Sequence, residues 1–311
     1  MIKNTFEVRS AHFEEHPNGC QYHFKRSFSE DPTLSDQLIN LLEIVFPEVG
    51  ISHAAETGRM LGAAWEDAST PFIRFHNDIA VTHVGVLEIP MQIMGQTVTV
   101  GGIHGVCTHP EFRRRGYYRE VMTEVLDYCA SRYDTLILTT AQPELYQPFG
   151  FRVVKEHIFS TKSDSRGWSN GFRLLNTSDP DDLKLLHRLL ETREPVSNIV
   201  GVLHEKAVFF VNEGTKPLHY AEDLDLIVSM EIENTQLKLF DVVGTRICNL
   251  TAILERIPQR IEEVITYFSC DRLGGDFQAF SHVFEGDSLL MVRGLFAAED
   301  KQFMLPRSAR C

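Results

Sequence analysis

The stretch that decides the fold reads Val106-Cys107-Thr108-His109-Pro110-Glu111-Phe112-Arg113-Arg114-Arg115-Gly116-Tyr117-Tyr118-Arg119. An apolar, strand-like run enters a basic turn closed by a glycine. Behind it Tyr118, Val121, Met122, Val125, Leu126 and Cys129 recur at three- and four-residue spacing, which predicts an amphipathic helix reaching about Arg132. The first amides of such a helix lack intrahelical acceptors, and its dipole adds partial positive charge, so the turn suits a phosphate or pyrophosphate. Gly116 permits close approach of backbone to ligand, and Arg113, Arg114 and Arg115 raise the local potential. A basic turn that merely caps a solvated helix has the same composition, so the flanking elements decide.

Upstream, Gln21 to Phe28 reads as a first strand. Leu34, Leu38, Leu41, Leu42, Val45 and Phe46 form a helix face that Pro47 ends, and a second helical stretch runs from about His53 to Trp65. Strand-like runs follow at Phe72 to His76, Ile79 to Met91 and Gln96 to Cys107. Ile89-Pro90 and Met94-Gly95-Gln96 suggest an irregular hairpin between the last two. Downstream, Thr135 to Ala141 is a short buried-type strand and Pro143 to Pro148 a brief turn or helix. Phe149-Gly150-Phe151 opens another strand that continues near Ile158. Hairpins combined with crossover helices predict an α+β protein with a mixed sheet.

Residues 160 to 180 read as a boundary, dividing the chain into 1–162 and 163–311. Beyond it strand, strand, helix and strand recur: Leu224 to Glu233 and Gln236 to Gly244 around Asn234-Thr235, then Ile247 to Ile257, then Glu263 to Ser269. A helix over Leu183 to Leu190 precedes this set and a strand over Leu289 to Arg293 follows it. The order of the first half repeats, which predicts a tandem duplication.

The basic segment resembles motif A of the GNAT superfamily of N-acetyltransferases, Gln/Arg-x-x-Gly-x-Gly/Ala after the fourth strand. Arg113 and Gly116 match; Tyr118 departs from the usual Gly or Ala. Thirty residues beyond Gly116, Leu145-Tyr146-Gln147-Pro148-Phe149-Gly150-Phe151 resembles motif B of the family. The resemblance covers residues 20 to 160. It implies an acetyl-CoA-dependent N-acetyltransferase acting on a primary amine of a small molecule by direct attack in a ternary complex. Val106, Cys107 and Thr108 would then meet the pantetheine arm and acetyl carbonyl. Arg113, Arg114, Arg115, Gly116, Tyr117, Tyr118 and Arg119 would cradle the pyrophosphate, and Ala141 and Gln142 would line the other side where two strands splay. Tyr146 resembles the family's general acid, and a backbone N–H near Val106 would stabilise the oxyanion.

Some family members carry a Glu base where this chain has Gly102; His104, on the same face, has a pKa range suited to the task. Cys107 reads as a buried thiol rather than a nucleophile. The tandem layout resembles the enhanced-intracellular-survival type of acetyltransferase, in which a C-terminal carboxylate serves as base; Cys311 stands in that place here, although the chain ends before a full third domain. Mycothiol synthases pair two such domains at similar length. In the second half Asp241-Val242-Val243-Gly244-Thr245-Arg246 lacks the arginine turn, so that GNAT-like domain reads as degenerate, suited to packing, cleft formation or homo-oligomer contacts. The departures at Gly102 and Tyr118 leave open a non-catalytic acyl-CoA-binding module, and protein-lysine acetylation is a third reading.

The composition is in keeping with this. At 311 residues, 43% hydrophobic and 23% charged, the chain can bury a real core. Its net charge of −13 argues against a nucleic-acid partner, whose affinity comes from Lys and Arg; the acidity serves solubility or draws cationic small molecules. No apolar run spans a bilayer, no signal peptide opens the chain, and six scattered cysteines read as free thiols, which together predict a cytoplasmic protein without a membrane partner. His12, His16, Cys20 and His23 have spacings compatible with zinc but no supporting pattern, so no metal is assigned. Trp65 is placed to wall an acceptor pocket or to pack half-buried, and Glu14-Glu15 and Asp181-Asp182 read as solvated faces.

Overall fold

The computed structural model describes residues 28–311 other than 30, 32, 167 and 168. The expected strand over 21–28, apart from Phe28 itself, and the His12, His16, Cys20 and His23 set lie outside the described residues, as does Glu14-Glu15.

Helix α1 (Thr33–Val45) turns Leu34, Leu38, Leu41 and Leu42 inward and stops short of Pro47. Helix α2 (Ile51–Met60) is shorter than its periodicity predicts, because Gly62 takes a left-handed turn at φ 73° and Trp65 opens a separate turn, α3 (Trp65–Ala68). Strands β1 (Ser69–His76), β2 (Ile79–Ile93) and β3 (Gln96–Thr108) form an antiparallel meander. The β2–β3 hairpin is tight rather than irregular. Met94 and Gly95 both have positive φ, 49° and 77°, the two-residue turn whose twist matches its strands. Pro90 stays inside β2 and its carbonyl accepts the Leu203 N–H at 2.9 Å.

The chain then enters α4 (Tyr117–Cys129), which ends at Cys129 rather than Arg132, and returns as β4 (Thr135–Thr140), parallel to β3. After two 3₁₀ turns comes the short β5 (Arg152–Val153). The expected continuation toward Ile158 is broken: β6 (Glu156–Ser165) leaves for another sheet. The rest of the chain supplies β7 (Arg173–Leu174), α5 (Pro180–Thr192), β8 (Val200–Val202), α6 (Ala207–Glu213), β9 (Leu218–Ala221), β10 (Leu226–Glu233), β11 (Gln236–Gly244), α7 (Leu250–Leu254), β12 (Ile261–Thr266), β13 (Gln278–His282) and β14 (Leu289–Gly294).

Two mixed sheets result. One runs β1-β2-β3-β4-β14-β5, with β8 paired to the far end of β2; the other runs β13-β6-β12-β11-β10-β9-β7. The echo seen in the sequence is real at this level: β10 and β11 form a hairpin, and β12 returns parallel to β11 through α7, as β4 returns to β3 through α4. The sheets nevertheless exchange strands across residues 162 and 163. β6 lies between β13 and β12, whereas β14, from the end of the chain, lies between β4 and β5.

Val121, Met122 and Val125 of α4 pack on one face of the first sheet, and Leu34, Leu38 and Leu41 pack against Ile73 and Cys107. Phe296, Phe303 and Leu305 cover Ile89, Met91 and Val292. No helix among the described residues is long and apolar enough to cross a membrane.

Candidate active site

Strands β3 and β4 pair only at Gly101 with Leu136 and Gly102 with Ile137. Beyond those pairs both strands continue, to Thr108 and Thr140, without bonding each other. On its other side β3 carries a bulge. His83 pairs with Cys107 and Gly85 with His104, so Gly105 and Val106 oppose Val84 alone. A bulge takes its extra residue out of the ladder, and Gly105 accommodates it at φ 57°. Sequence and register thus leave a wedge between β3 and β4 with loosened backbone on one wall.

A cavity of about 610 Å³ opens from this wedge. Its lining brings together His104 and Val106 of β3, Ala141, Gln142 and Tyr146 beyond β4, and Trp65, all anticipated from sequence. Cys107 is not part of it. The Cys107 side chain is buried in a cluster with Leu38, Leu41 and Ile73, and burial pushes its thiol up to about 12, an inert state rather than a nucleophilic one. Thr108 faces back toward β2, its hydroxyl 3.3 Å from that of Thr82.

The basic turn lies beside the wedge and lines none of the cavity. Its backbone is contorted: Arg114 sits at φ 63° and Gly116 at φ 87°. The first i→i−4 bond of α4 runs from the Glu120 N–H to the Gly116 carbonyl at 3.1 Å. The amides just before Glu120 therefore precede the helical ladder. Arg113 Nε donates to the Thr108 carbonyl at 3.2 Å, and Arg115 donates to the Glu111 carbonyl at 2.9 Å while stacking on Phe112. Tyr118, where Gly or Ala is usual, donates its hydroxyl to the Leu145 carbonyl at 3.1 Å and meets Phe149 edge-on. It ties motif A to motif B. A cation that sequence reading passed over is Arg74 of β1, which is buried, pairs with Glu120 and stacks 3.8 Å over the Tyr117 ring. Nothing local distinguishes it from any arginine on a strand.

Tyr146 is almost fully buried at the cavity wall, and burial raises its phenol to about 12 against the opposing Thr140 hydrogen bond. His104 Nε2 shares a 2.7 Å hydrogen bond with Ser69 Oγ. Its ring occupies the space a Cβ at Gly85 would need. His83, not singled out from sequence, also lines the cavity, with Nδ1 2.7 Å from the Gly105 carbonyl and Nε2 without a partner. Burial lowers His83 to about 4; burial and then the neighbouring His83 lower His104 to about 3.

At Gly102 a side chain would have to displace its neighbours. A Cβ would lie 2.6 Å from Ile89 Cδ1 and 2.9 Å from Cys311 Sγ. Cys311 itself enters the wedge, its main-chain oxygen accepting from the Thr139 N–H at 2.8 Å and the Thr139 hydroxyl at 2.7 Å. The corresponding region of the second sheet is filled. Asp241 of β11, expected to repel phosphate, is fully buried in a bidentate pair with Arg193 and also accepts from the Ser308 hydroxyl at 2.5 Å. No group of potential metal ligands occurs among the described residues.

Residues 31–154 match the family model of the acetyltransferase (GNAT) domain. No curated protein matches the chain in sequence. Among solved structures it resembles a conserved protein of unknown function from Enterococcus faecalis described as a probable N-acyltransferase, at 12% identity and TM-score 0.59, covering 89% of this chain and 73% of that one. A GCN5-related N-acetyltransferase from Kribbella flavida aligns at 17% identity and TM-score 0.52, covering 89% and 72%. Eis1 from Mycobacterium abscessus aligns at 12% and 0.50, covering 79% and 65%. At these identities the likeness is one of fold. Together with the wedge and the helix N-terminus beside it, the family-model match places an acetyltransferase (GNAT) domain at residues 31–154 of the chain.

Proposed function

We propose that the chain transfers acetyl from acetyl-CoA to the primary amine of a small molecule by direct attack within a ternary complex. The observation that carries this reading is the separation of β3 from β4 beyond Gly102 and Ile137, immediately beside the unladdered amides of α4. The Arg113–Arg119 backbone and the α4 dipole receive the pyrophosphate, and the pantetheine arm runs into the wedge along Val106, Ala141 and Gln142.

The amine nitrogen attacks the thioester carbon, and the bulged Val106 N–H donates to the developing oxyanion. When the C–S bond breaks, the Tyr146 hydroxyl donates to the departing sulfur. A phenol near 12 is a weaker acid than a thiol at roughly 8.5, so Tyr146 stabilises the thiolate chiefly as a hydrogen-bond donor.

In the tautomer that donates Nε2–H to Ser69, His104 presents a lone pair at Nδ1. An imidazole lowered to about 3 takes no proton from a free ammonium. The amine therefore attacks in its neutral form, His104 accepting a hydrogen bond from its N–H, and the proton it sheds as the adduct collapses goes to the departing thiolate. Calorimetric titration with CoA, followed by thiol release from acetyl-CoA with a panel of amines, tests the reading; absence of CoA binding would overturn it.

A further inference from the structure

The donor approaches from the Arg113–Arg119 turn, yet the cavity continues past the wedge to a wall built by α1, α2 and α6. From that wall we infer that the acceptor is an apolar monoamine, an alkyl- or arylalkylamine, rather than a polyamine or an aminosugar. The inference rests on the acetyltransferase reading and narrows it.

The wall consists of Leu42 of α1, Phe46 just beyond its end, Ile51 of α2 and Trp65. The rim is apolar too: Val49, Leu145 and Val211 line the cavity and remain 62%, 43% and 47% exposed. Apolar side chains left in water around a concave site mark where an apolar ligand gains most by binding.

Charge points the same way. Among the described residues no Asp or Glu side chain lines the cavity, although the chain as a whole carries −13. Its charged lining residue is the cationic Arg310, bonded to Glu156 at 2.6 Å. The overall acidity, read from sequence as a lure for cations, is absent where the acceptor would sit. A second ammonium entering here would shed its water and meet no Asp or Glu side chain to replace it.

Sugar hydroxyls fare little better: Thr139 is engaged with Cys311 and Thr140 with the Gln142 N–H at 3.0 Å, and the unpartnered His83 Nε2 offers a single position rather than the several a sugar needs. A single nitrogen directed at His104, with an apolar body behind it, satisfies both the polar and the apolar parts of the lining.

The test compares 2-phenylethylamine and hexylamine with spermidine and glucosamine, using the full chain with acetyl-CoA, alongside calorimetry with CoA alone. The expected result is a kcat/KM for the apolar amines higher by roughly tenfold or more. Phe46→Ala should lower kcat/KM for 2-phenylethylamine, mainly through KM, with CoA affinity unchanged. CoA binding with preferred turnover of spermidine or glucosamine would overturn the apolar-acceptor inference alone. Loss of CoA binding, or binding without transfer to any amine, would overturn the acetyltransferase reading beneath it.

Discussion

A phenol held near 12 and two imidazoles held neutral give the site donors and acceptors whose protonation does not change around neutral pH. Tyr146→Phe removes one donor to the leaving sulfur. It should cut kcat on the order of 10²-fold, the usual cost of one such hydrogen bond, while calorimetric CoA affinity stays within about twofold; loss of CoA binding instead would reassign Tyr146 to packing.

The histidines also set an acid limit on stability. The unfolded chain takes up these protons as pH falls through 6.5, whereas the folded chain holds them off until about 4 at His83 and about 3 at His104. Their contribution is complete above pH 6.5 and is lost as pH falls toward those lowered values. Urea unfolding at pH 4.5 should therefore show about 2–3 kcal/mol less stability than at pH 7 from His83 alone. His83→Gln should flatten that slope; an unchanged slope would place the acid sensitivity elsewhere.

At the scale of elements, the helices and strands around motif A were legible from period and punctuation, because Leu34 to Phe46 and Tyr118 to Cys129 declare their own faces. The contorted entry to α4 was legible only in part: three arginines and a glycine announce a basic turn, but not that Arg114 takes the left-handed backbone. That position separates charge from shape. Arg114→Gly keeps a backbone that glycine adopts freely and removes one cation near the pyrophosphate. CoA affinity should fall severalfold, and the loss should shrink as salt rises; no change at low salt would mean that Arg114 serves the turn alone. The bulge at Gly105 and Val106 was invisible in sequence, since alternation along β3 says nothing about register against β2. The orphaned His83 Nε2 was missed for the same reason: its environment is made by Gly105, twenty-two residues away.

For the molecule as a whole, the sequence showed the recurring strand-strand-helix-strand order but not the allocation of strands. Glu156–Ser165 and Leu289–Gly294 both look like ordinary strands, and local pattern does not say which sheet each joins. The same holds for the last nine residues. Phe303 to Arg310 are buried, held by Arg307 on Glu213, Arg310 on Glu156 and Ser308 on Asp241, contacts between positions far apart in the chain. Asp241→Ala would leave Arg193 buried without its carboxylate. It should cost about 3–5 kcal/mol, the usual penalty for half of a buried pair, read as a lower urea midpoint; a loss under 1 kcal/mol would show that water reaches Arg193.

The placement of β14 bears on how this enzyme can be cut. The matched domain ends at residue 154, an inviting place to stop a recombinant fragment. Such a fragment would present Thr135–Thr140 as a bare, largely apolar sheet edge, because its native neighbour is Leu289–Gly294. Unsatisfied edges of that kind template intermolecular pairing. The segment that looks like a complete catalytic unit would aggregate when expressed alone, and soluble halves should be sought by co-expressing both pieces so that Leu289–Gly294 can dock in trans.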